Sequence, residues 1–380
     1  APTLVPYTGL DRGDCRRVNI AILGTRGAPA NYGGFETLAE ELGWRLAARG
    51  HQVTVYGRSG FVDPRLGSYR GMRLVVLPAI RSKHLETVSH TFLASIHAFW
   101  EAYDAVLLCN AANAPFVRIL HLARTPVALN VDGLERKRRK WGIAGRSYYK
   151  LCERLATLMP DALITDAEVI HRYYRRCYRA PSEMIVYGGD LEPPSGTDVL
   201  DSLGLEPEQY LLYVSRFEPE NNPDLVVAAY SRVAGDRRLV MVGGAPYARE
   251  LTRRVQSLAD GRVLLPGPIY GDGYRQLLFG CRAYIHATEV GGTHPALVEA
   301  MGAGRPVLYY DTPENREVVG SAGRRFRFEG AESLESVLGD ILENESVLTD
   351  LADRSRRRVA ERYRWNDVAD AYERVLASLC

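Results

Sequence analysis

The sequence contains very little lysine and no long apolar run. Lysine supplies only four of the 48 basic residues, and none lies beyond Lys150. A phosphate site in the second half must therefore use arginine or backbone N–H groups. The longest stretches without a charged residue are 13 and 14 residues, too short for a helix that spans a bilayer. No signal segment is expected, because a polar lead-in, Ala1 to Asp14, opens the sequence.

Several motifs of metal and cofactor enzymes are also missing. The six cysteines lie far apart, without Cys-x-x-Cys or paired Cys/His spacing, which argues for reduced cytosolic thiols and against structural zinc. Because no Asp-x-Asp occurs, a metal bridge to a nucleotide diphosphate would lack its usual ligands. The absence of GxGxxG disfavours a dinucleotide oxidoreductase. The sequence thus predicts no metal and no cofactor.

Charge is distributed unevenly along the chain. Residues 1–190 hold 26 Lys and Arg against 17 Asp and Glu, whereas the remaining residues hold 22 against 29. A basic first half favours an anionic partner such as a membrane surface, although such an imbalance also arises by chance. No nucleic-acid partner is expected, because the net charge is only +2 and stacking aromatics are not interleaved with the basic residues.

The hydrophobic pattern predicts two α/β domains. A buried strand at Val18–Gly24, a helix at Phe35–Arg49 and a strand at His51–Tyr56 form a βαβ unit, and the second half repeats this scheme. Two doubly wound, Rossmann-like domains would then face each other across a cleft, where such folds bind ligands. The expected division is a disordered lead-in at 1–17, a first domain at 18–190, a linker at 191–208, a second domain at 209–365 and a C-terminal helix at 366–380, which could pack on either domain.

The strongest local signal is the segment Gly291–Met301. Its glycines allow a ligand to approach the backbone closely, and Pro295 suits the first turn of a helix. Such a helix N-terminus attracts a diphosphate, and Glu299, one turn further, could accept a hydrogen bond from a ribose hydroxyl. An ordinary loop–helix junction with an exposed glutamate is the alternative. The residues expected to bind the diphosphate here are Gly292, Thr293 and His294.

Other candidate groups follow predicted strands. Arg216 ends one strand, where its guanidinium could bind a phosphate through two hydrogen bonds. An ion pair with Glu218 or Glu220 is the alternative for this arginine. The glycine pair 33–34 could approach the same diphosphate from the first domain, and Ile269 could contact a base.

A basic run, Glu135–Lys140, is followed by the aromatic residue Trp141. Such runs are usually solvated helix faces. This one could instead dock on anionic lipid and receive a lipid-diphosphate acceptor. The candidate residues of this acceptor or membrane side are Arg81, Lys83, Arg138, Lys140 and Trp141.

These motifs resemble family 4 of the retaining glycosyltransferases, which have the GT-B fold. The likeness runs from about Val18 to the C-terminus. Within it, several segments are similar to a narrower branch, the bacterial rhamnosyltransferases that extend lipid-linked polysaccharide repeat units. These segments are Gly24–Glu36, Asp132–Glu135, Arg216–Asn222 and Gly291–Thr293.

The resemblance implies a sugar-nucleotide donor, dTDP-rhamnose in that branch, held mainly by the second domain. Arg216 would contact the diphosphate, Ile269 the base and Glu299 the ribose, while Gly33 and Gly34 close from the first domain. The acceptor would be a lipid-diphosphate-linked saccharide. The chain would then work in the cytoplasm, at the inner face of the cell membrane.

Two positions depart from the wider family. Asn221 stands where that family usually has a lysine, so more of the leaving-group charge would fall on Arg216, the helix terminus and Arg26. Gly291 stands where the family has a glutamate that contacts hydroxyls of the donor sugar. Recognition of the donor sugar must therefore differ, which fits a 6-deoxy-L-sugar.

The resemblance also implies a metal-independent, front-face mechanism in which the leaving phosphate takes the acceptor's proton. Arg216 and the helix N-terminus would stabilise the departing charge. Asp132, which directly follows the predicted strand Val127–Val131, is the candidate for steering the acceptor or stabilising positive charge; a turn cap is the alternative. Three other functions remain open: a sugar-nucleotide epimerase, a transferase that uses a UDP- or GDP-sugar, and a nucleotide-binding protein that has lost catalysis.

Overall fold

The computed structural model describes residues 17–82, 85–139, 141–244 and 248–380. Residues 1–16 of the predicted disordered lead-in lie outside the described residues. Two mainly parallel sheets, each covered by helices on both faces, form two Rossmann-like domains, so the predicted fold class is confirmed. Short apolar runs became the central strands because a parallel strand is buried on both faces.

Within the described residues, the first domain contains eight strands and five α-helices. The strands are β1 (Asn19–Leu23), β2 (Gln52–Arg58), β3 (Ser68–Tyr69), β4 (Met72–Leu77), β5 (Ala105–Cys109), β6 (Val127–Asn130), β7 (Ala162–Thr165) and β8 (Glu183–Met184). The helices are α1 (Gly34–Ala48), α2 (Glu86–Phe99), α3 (Val117–Leu122), α4 (Ile143–Ala156) and α5 (Glu168–Tyr178). The sheet order is β3-β4-β2-β1-β5-β6-β7-β8; β3 runs antiparallel to β4, and the other neighbours pair in parallel.

The second domain repeats this architecture with a six-stranded parallel sheet. Its strands are β9 (Tyr210–Val214), β10 (Arg238–Val242), β11 (Val263–Gly267), β12 (Ala283–His286), β13 (Val307–Tyr310) and β14 (Gly323–Phe326), in the order β11-β10-β9-β12-β13-β14. Its helices are α6 (Asp198–Leu203), α7 (Pro223–Tyr230), α8 (Arg249–Leu258), α9 (Gly271–Gly280), α10 (Pro295–Gly302), α11 (Pro313–Val319), α12 (Leu334–Ile341) and α13 (Glu345–Arg362). Helix α6 lies inside the stretch that was expected to be a linker.

The last helix, α14 (Trp365–Ser378), returns to the first domain. Its Tyr372 accepts a hydrogen bond from the Asn130 side chain at the end of β6 (2.6 Å). Its Glu373 lies 2.8 Å from His51, next to β2. Since α14 follows directly on α13 of the second domain, it ties the two domains together beside the cleft.

Candidate functional site

A cavity of about 650 Å³ lies between the two domains. Loops that follow the carboxyl ends of strands in both sheets line it, as expected for a doubly wound fold. The cavity brings together most of the residues that the sequence indicated. Those that line it are Arg26, Gly33, Gly34, Asp132, Arg138, Trp141, Arg216, Thr293 and His294. Gly291, which stands where the wider family has a glutamate, lines it too.

Two helix N-termini converge on this cavity. Helix α1 begins after Gly33 and helix α10 begins after His294, and no side chain caps either helix. The two starts are in close contact, because a Cβ atom on Gly34 would lie 3.1 Å from the Pro295 ring. Each helix start carries a partial positive charge and offers backbone N–H groups, although the first residue of α10, Pro295, has none. The pair therefore forms a site suited to a diphosphate.

Arg216 adds a full positive charge beside these helix starts, and Arg26 adds one that an ion pair with Glu86 (3.3 Å) partly neutralises. The Arg26 guanidinium lies 3.5 Å from the centre of the Tyr32 ring, and that of Arg216 lies 5.4 Å from it. In the described part of the chain no carboxylate lies within 4 Å of the Arg216 guanidinium, because Glu220 pairs with Arg138 instead. Arg216 is thus free to bind an anion. Tyr32, which the sequence did not single out, positions both arginines.

Asn221 supports the Arg216 loop from behind. Its side-chain amide donates to the Arg216 carbonyl (2.7 Å), and its own carbonyl accepts from the Tyr213 hydroxyl (2.7 Å). Its side chain is 3% exposed. Asn221 therefore contributes to the geometry of the loop, whereas a lysine here would have contributed charge.

Asp132 reaches the cavity from the loop after β6. Its backbone adopts a left-handed conformation (φ 56°), and a hydrogen bond from its N–H to the Asn130 side chain (2.9 Å) fixes the turn. Burial raises the pKa of Asp132, and the Arg138 guanidinium opposes this shift. The carboxyl group of Asp132 lies beside that of Asp166, a fully buried residue that follows β7. Asp166 was not predicted, although it carries the same signal as Asp132: a carboxylate directly after a strand.

Gly291 and His294 shape the wall beside the helix start. A Cβ atom on Gly291 would lie 2.2 Å from the His294 ring, so a larger residue there would have to displace that ring. The backbone of Gly133 also approaches, since a Cβ atom on it would lie 2.5 Å from the Gly291 carbonyl carbon. Burial, together with the charges of Arg138 and Arg216, lowers the pKa of His294 to about 3. The imidazole is therefore neutral at the cavity wall.

Ile269 and Glu299 do not line the cavity. Glu299 accepts a hydrogen bond from the Tyr274 hydroxyl (2.7 Å) and is 6% exposed; burial raises its pKa to about 7. Ile269 packs against Gly273 at the start of α9, and the next residue, Tyr270, is 45% exposed. Both candidate residues therefore lie on the second domain beyond the diphosphate region.

The basic run does not form one exposed face. Arg136 pairs with Glu153 (3.0 Å), and Arg138 is 7% exposed and pairs with Glu220 of the second domain (3.3 Å). The membrane contact expected for Arg138 is therefore wrong: its guanidinium is buried at the cavity between two carboxylates, the second from Glu135. The exposed candidate Arg81 lies near Gly60. The candidates Lys83 and Lys140 lie outside the described residues.

Within the described ranges, no three His, Cys, Asp or Glu side chains group in a way that could hold a metal ion. The same ranges contain no helix that combines the length and the apolar character needed to cross a membrane.

Comparison with known families assigns both domains. Residues 33–188 match the model of the glycosyl transferase 4-like domain, and residues 200–360 match the glycosyl transferases group 1. Together the two matches span most of the chain, in the order of its two sheets. The chain has the GT-B fold and carries two glycosyltransferase domains. Arg216 and the start of α10 fall within the second match, whereas Gly33, Gly34 and Asp132 fall within the first.

Solved structures and one curated relative resemble the enzyme. HepE from Anabaena, crystallised with UDP and glucose, superposes with a TM-score of 0.76 at 17% identity, covering 95% of the enzyme and 100% of HepE. Sucrose-phosphate synthase from Thermosynechococcus elongatus superposes with a TM-score of 0.78 at 20% identity, covering 96% and 99%. The gpi3 subunit of phosphatidylinositol N-acetylglucosaminyltransferase from Schizosaccharomyces pombe is 30% identical over 182 residues. That match spans 45% of the enzyme and only 38% of the relative.

Proposed function

We propose that the enzyme transfers L-rhamnose from dTDP-rhamnose to a lipid-diphosphate-linked saccharide, with retention of configuration and without a metal. The observation that carries the assignment of a nucleoside-diphosphate donor is the convergence of two uncapped helix starts on one cavity with Arg216, which has no carboxylate partner among the described residues. Such a site serves a nucleoside-diphosphate donor in two ways. It binds the diphosphate, and it stabilises the negative charge that develops when the diphosphate leaves the sugar.

The leaving diphosphate is stabilised by fixed positive groups. Arg216 offers a guanidinium that binds two phosphate oxygens, and the α1 and α10 starts offer N–H groups. These groups already face the cavity, so little reorganisation is needed when the bond to the sugar breaks. The leaving phosphate oxygen then takes the proton of the attacking acceptor hydroxyl, on the same face of the sugar.

The sugar lies between the diphosphate site and Asp132. Position 291 carries no side chain, and the polar groups on this part of the wall include the neutral imidazole of His294 and the carboxyl group of Asp132. The ring of Tyr187 also lines the cavity, and such an aromatic wall favours a 6-deoxy sugar, whose methyl group needs no polar partner.

The acceptor enters from the first domain. On that side the cavity is lined by apolar and aromatic residues at the starts of α2 and α4, among them Leu85, Val88 and Trp141. Leu85 is 50% exposed, and Ile143, at the start of α4, is 86% exposed. The lining thus continues outward as an apolar surface, which suits an acceptor with a polar head and a lipid tail.

This apolar surface extends over three helices that pack on one face of the first sheet. Trp100, after α2, is 81% exposed, Leu122 on α3 is 73% exposed and Leu151 on α4 is 54% exposed. Exposed basic residues lie among them, such as Arg118 and Lys150. Apolar side chains mixed with positive charge fit an anionic bilayer, so this face, and not the buried Arg138, docks on the membrane.

The donor assignment is tested with a panel of dTDP-, UDP- and GDP-sugars, each with and without a glucosyl lipid-diphosphate and in the presence of a chelator. UDP-sugars are included because HepE was crystallised with UDP. The expected result is acceptor-dependent release of dTDP from dTDP-rhamnose, unchanged by the chelator. Conversion of a donor without acceptor would indicate an epimerase, and loss of activity with the chelator would contradict the metal-free mechanism. The anomeric configuration of the product tests retention.

The membrane face is tested by the double substitution Ile143→Glu and Leu151→Glu. We expect binding to vesicles that contain phosphatidylglycerol to fall about tenfold or more, because two apolar side chains no longer enter the bilayer. Flotation of the vesicles measures the bound fraction. Leu258→Glu, on α8 of the second domain, is the matched control, since Leu258 is also exposed (37%). Equal losses in both variants would show that the first-domain face is not the contact.

A further inference from the structure

Asp166 connects the two domains through the loop that precedes α10. One carboxyl oxygen, Oδ2, accepts a hydrogen bond from the Thr293 N–H (2.9 Å), and the Asp166 carbonyl accepts from the Thr293 hydroxyl (2.5 Å). Gly292 packs directly on the carboxyl group, because a Cβ atom there would lie 2.0 Å from Oδ1. Asp166 has no exposed surface. A side chain of the first domain therefore holds the diphosphate loop of the second.

The other oxygen, Oδ1, is buried and accepts no hydrogen bond from the described residues. The carboxyl group of Asp132 lies beside that of Asp166. Two ionised carboxylates in contact repel each other strongly, so such a pair shares one proton. The deeper partner, which is fully buried, favours its neutral form. Asp132 lines the cavity and keeps the charge.

We propose that Asp166 is an uncharged acid that latches the donor loop to the first domain: Oδ1–H donates to the Asp132 carboxylate while Oδ2 accepts from Thr293. The proposal rests on the proposed function in that it takes Gly291–His294 as the donor loop. Asp166 touches neither substrate and is a positioning residue. It couples closure of the two domains to the orientation of the Asp132 carboxylate.

The groups around the pair support this assignment. Tyr187, after β8, and Tyr372, on α14, face both carboxyl groups, and burial keeps both phenols neutral by raising the pKa of each well above its ordinary value. Arg138 faces Asp132, and Glu135 opposes it. Among the described residues, the positive charge of Arg138 therefore lies beside Asp132, where it stabilises the ionised form of that carboxyl group. Burial and the Asp132 charge raise the pKa of Asp166 well above its ordinary value.

Loss of this proton would open the latch. Ionised Asp166 would place a second negative charge against Asp132, and their repulsion would move Asp132 or release Thr293. Transfer should therefore decline at alkaline pH. Asp166→Asn mimics the neutral acid, because its amide oxygen can accept from Thr293 while its NH₂ group donates to Asp132.

The kinetic test compares Asp166→Asn with Asp166→Ala, using the donor that the panel identifies. We expect Asp166→Asn to keep turnover within about threefold at neutral pH and to lose the alkaline decline. Asp166→Ala should lose about ten- to a hundredfold, the effect of losing a hydrogen bond to a charged group. If both variants lose activity equally and the alkaline decline persists in Asp166→Asn, the latch proposal is wrong.

Infrared spectroscopy tests the proton without any substrate. A buried protonated carboxyl group has a carbonyl stretch outside the amide band, and this signal should be absent in Asp166→Asn. Glu299 gives a second such signal, which should disappear above its pKa of about 7, whereas that of Asp166 persists. Asp161→Asn is the control, because the Asp161 carboxylate accepts from Val127 and His121 and is partly exposed. An unchanged spectrum in Asp166→Asn would overturn the proposal whatever the donor is.

Thermal unfolding gives a second readout that is independent of activity. When folding raises the pKa of an acid, the protonated acid stabilises the folded state. This stabilisation is fully present below the pKa of the acid in the unfolded chain, about 3.9, and it is lost as the pH rises toward the pKa in the folded protein. The wild-type protein should therefore lose stability with rising pH relative to Asp166→Asn. We expect similar melting temperatures near pH 4 and a higher melting temperature for the variant at about pH 8. A variant that is less stable at every pH would show that Asp166 is an ordinary ionised carboxylate.

Discussion

Arg216→Ala should lower turnover by about 10²–10³ while the protein stays folded, because it removes one preorganised group from the departing diphosphate. The described residues provide no carboxylate partner for this guanidinium, so its removal leaves no buried charge unpaired. Tyr32 would still hold Arg26 at 3.5 Å, which limits the loss. Acceptor-dependent release of nucleoside diphosphate measures turnover, and the melting temperature measures the fold.

Two further variants define what Arg216 contributes. Arg216→Lys keeps the charge but loses the planar fork, so its loss should be smaller than that of alanine. Arg232→Ala is the matched control, because Arg232 is an exposed arginine of the second domain that lies 3.7 Å from Glu335. Turnover near normal in Arg216→Ala would mean that Arg26 or the helix starts carry the leaving-group charge.

The central strands could be predicted because buried strands consist almost entirely of apolar residues. β1 and β5 are apolar runs with glycine or asparagine at their ends, and both are buried almost throughout. The edge strands lack that signal. β3 and β8 have two residues each, and β14 carries two exposed arginines, since an edge strand needs cover on fewer sides.

The candidate site shows where sequence reasoning ends. Arg216 could be predicted from its place after a strand, because ligands bind at the carboxyl ends of parallel strands. The burial and pairing of Arg138 could not be predicted, because its partner Glu220 lies 82 positions away in the other domain and contacts it only across the cleft. A basic run in the sequence therefore indicates where charge is available, and only the fold decides which charges are neutralised.

Asp166 illustrates the same limit for acids. Asp132 and Asp166 both follow strands, and the neighbouring strands β6 and β7 bring them together. Strand order can be inferred from sequence only in outline, so the contact between the two carboxyl groups was not foreseen. The consequence, one proton for two acids, comes from the contact and from burial, not from either residue alone.

Gly292→Ala should abolish most of the transfer while leaving the second domain able to bind nucleotide. The new Cβ atom would lie 2.0 Å from Oδ1 of Asp166, so the donor loop must move away from the first domain. A displacement of about 1 Å at a reacting centre costs about a hundredfold in rate. Because α10 and Arg216 both belong to the second domain, calorimetric binding of dTDP should weaken far less than turnover.

Two comparisons decide whether the contact with Asp166 is the cause. Gly339→Ala, on the exposed side of α12, has open space around it and should leave turnover unchanged, while alanine stabilises the helix by about 1 kcal/mol. In an Asp166→Ala background the alanine at 292 has room, so adding it should cost little further turnover. If Gly292→Ala alone keeps normal turnover, or if its effect adds fully to that of Asp166→Ala, then closure of the cleft does not depend on this contact.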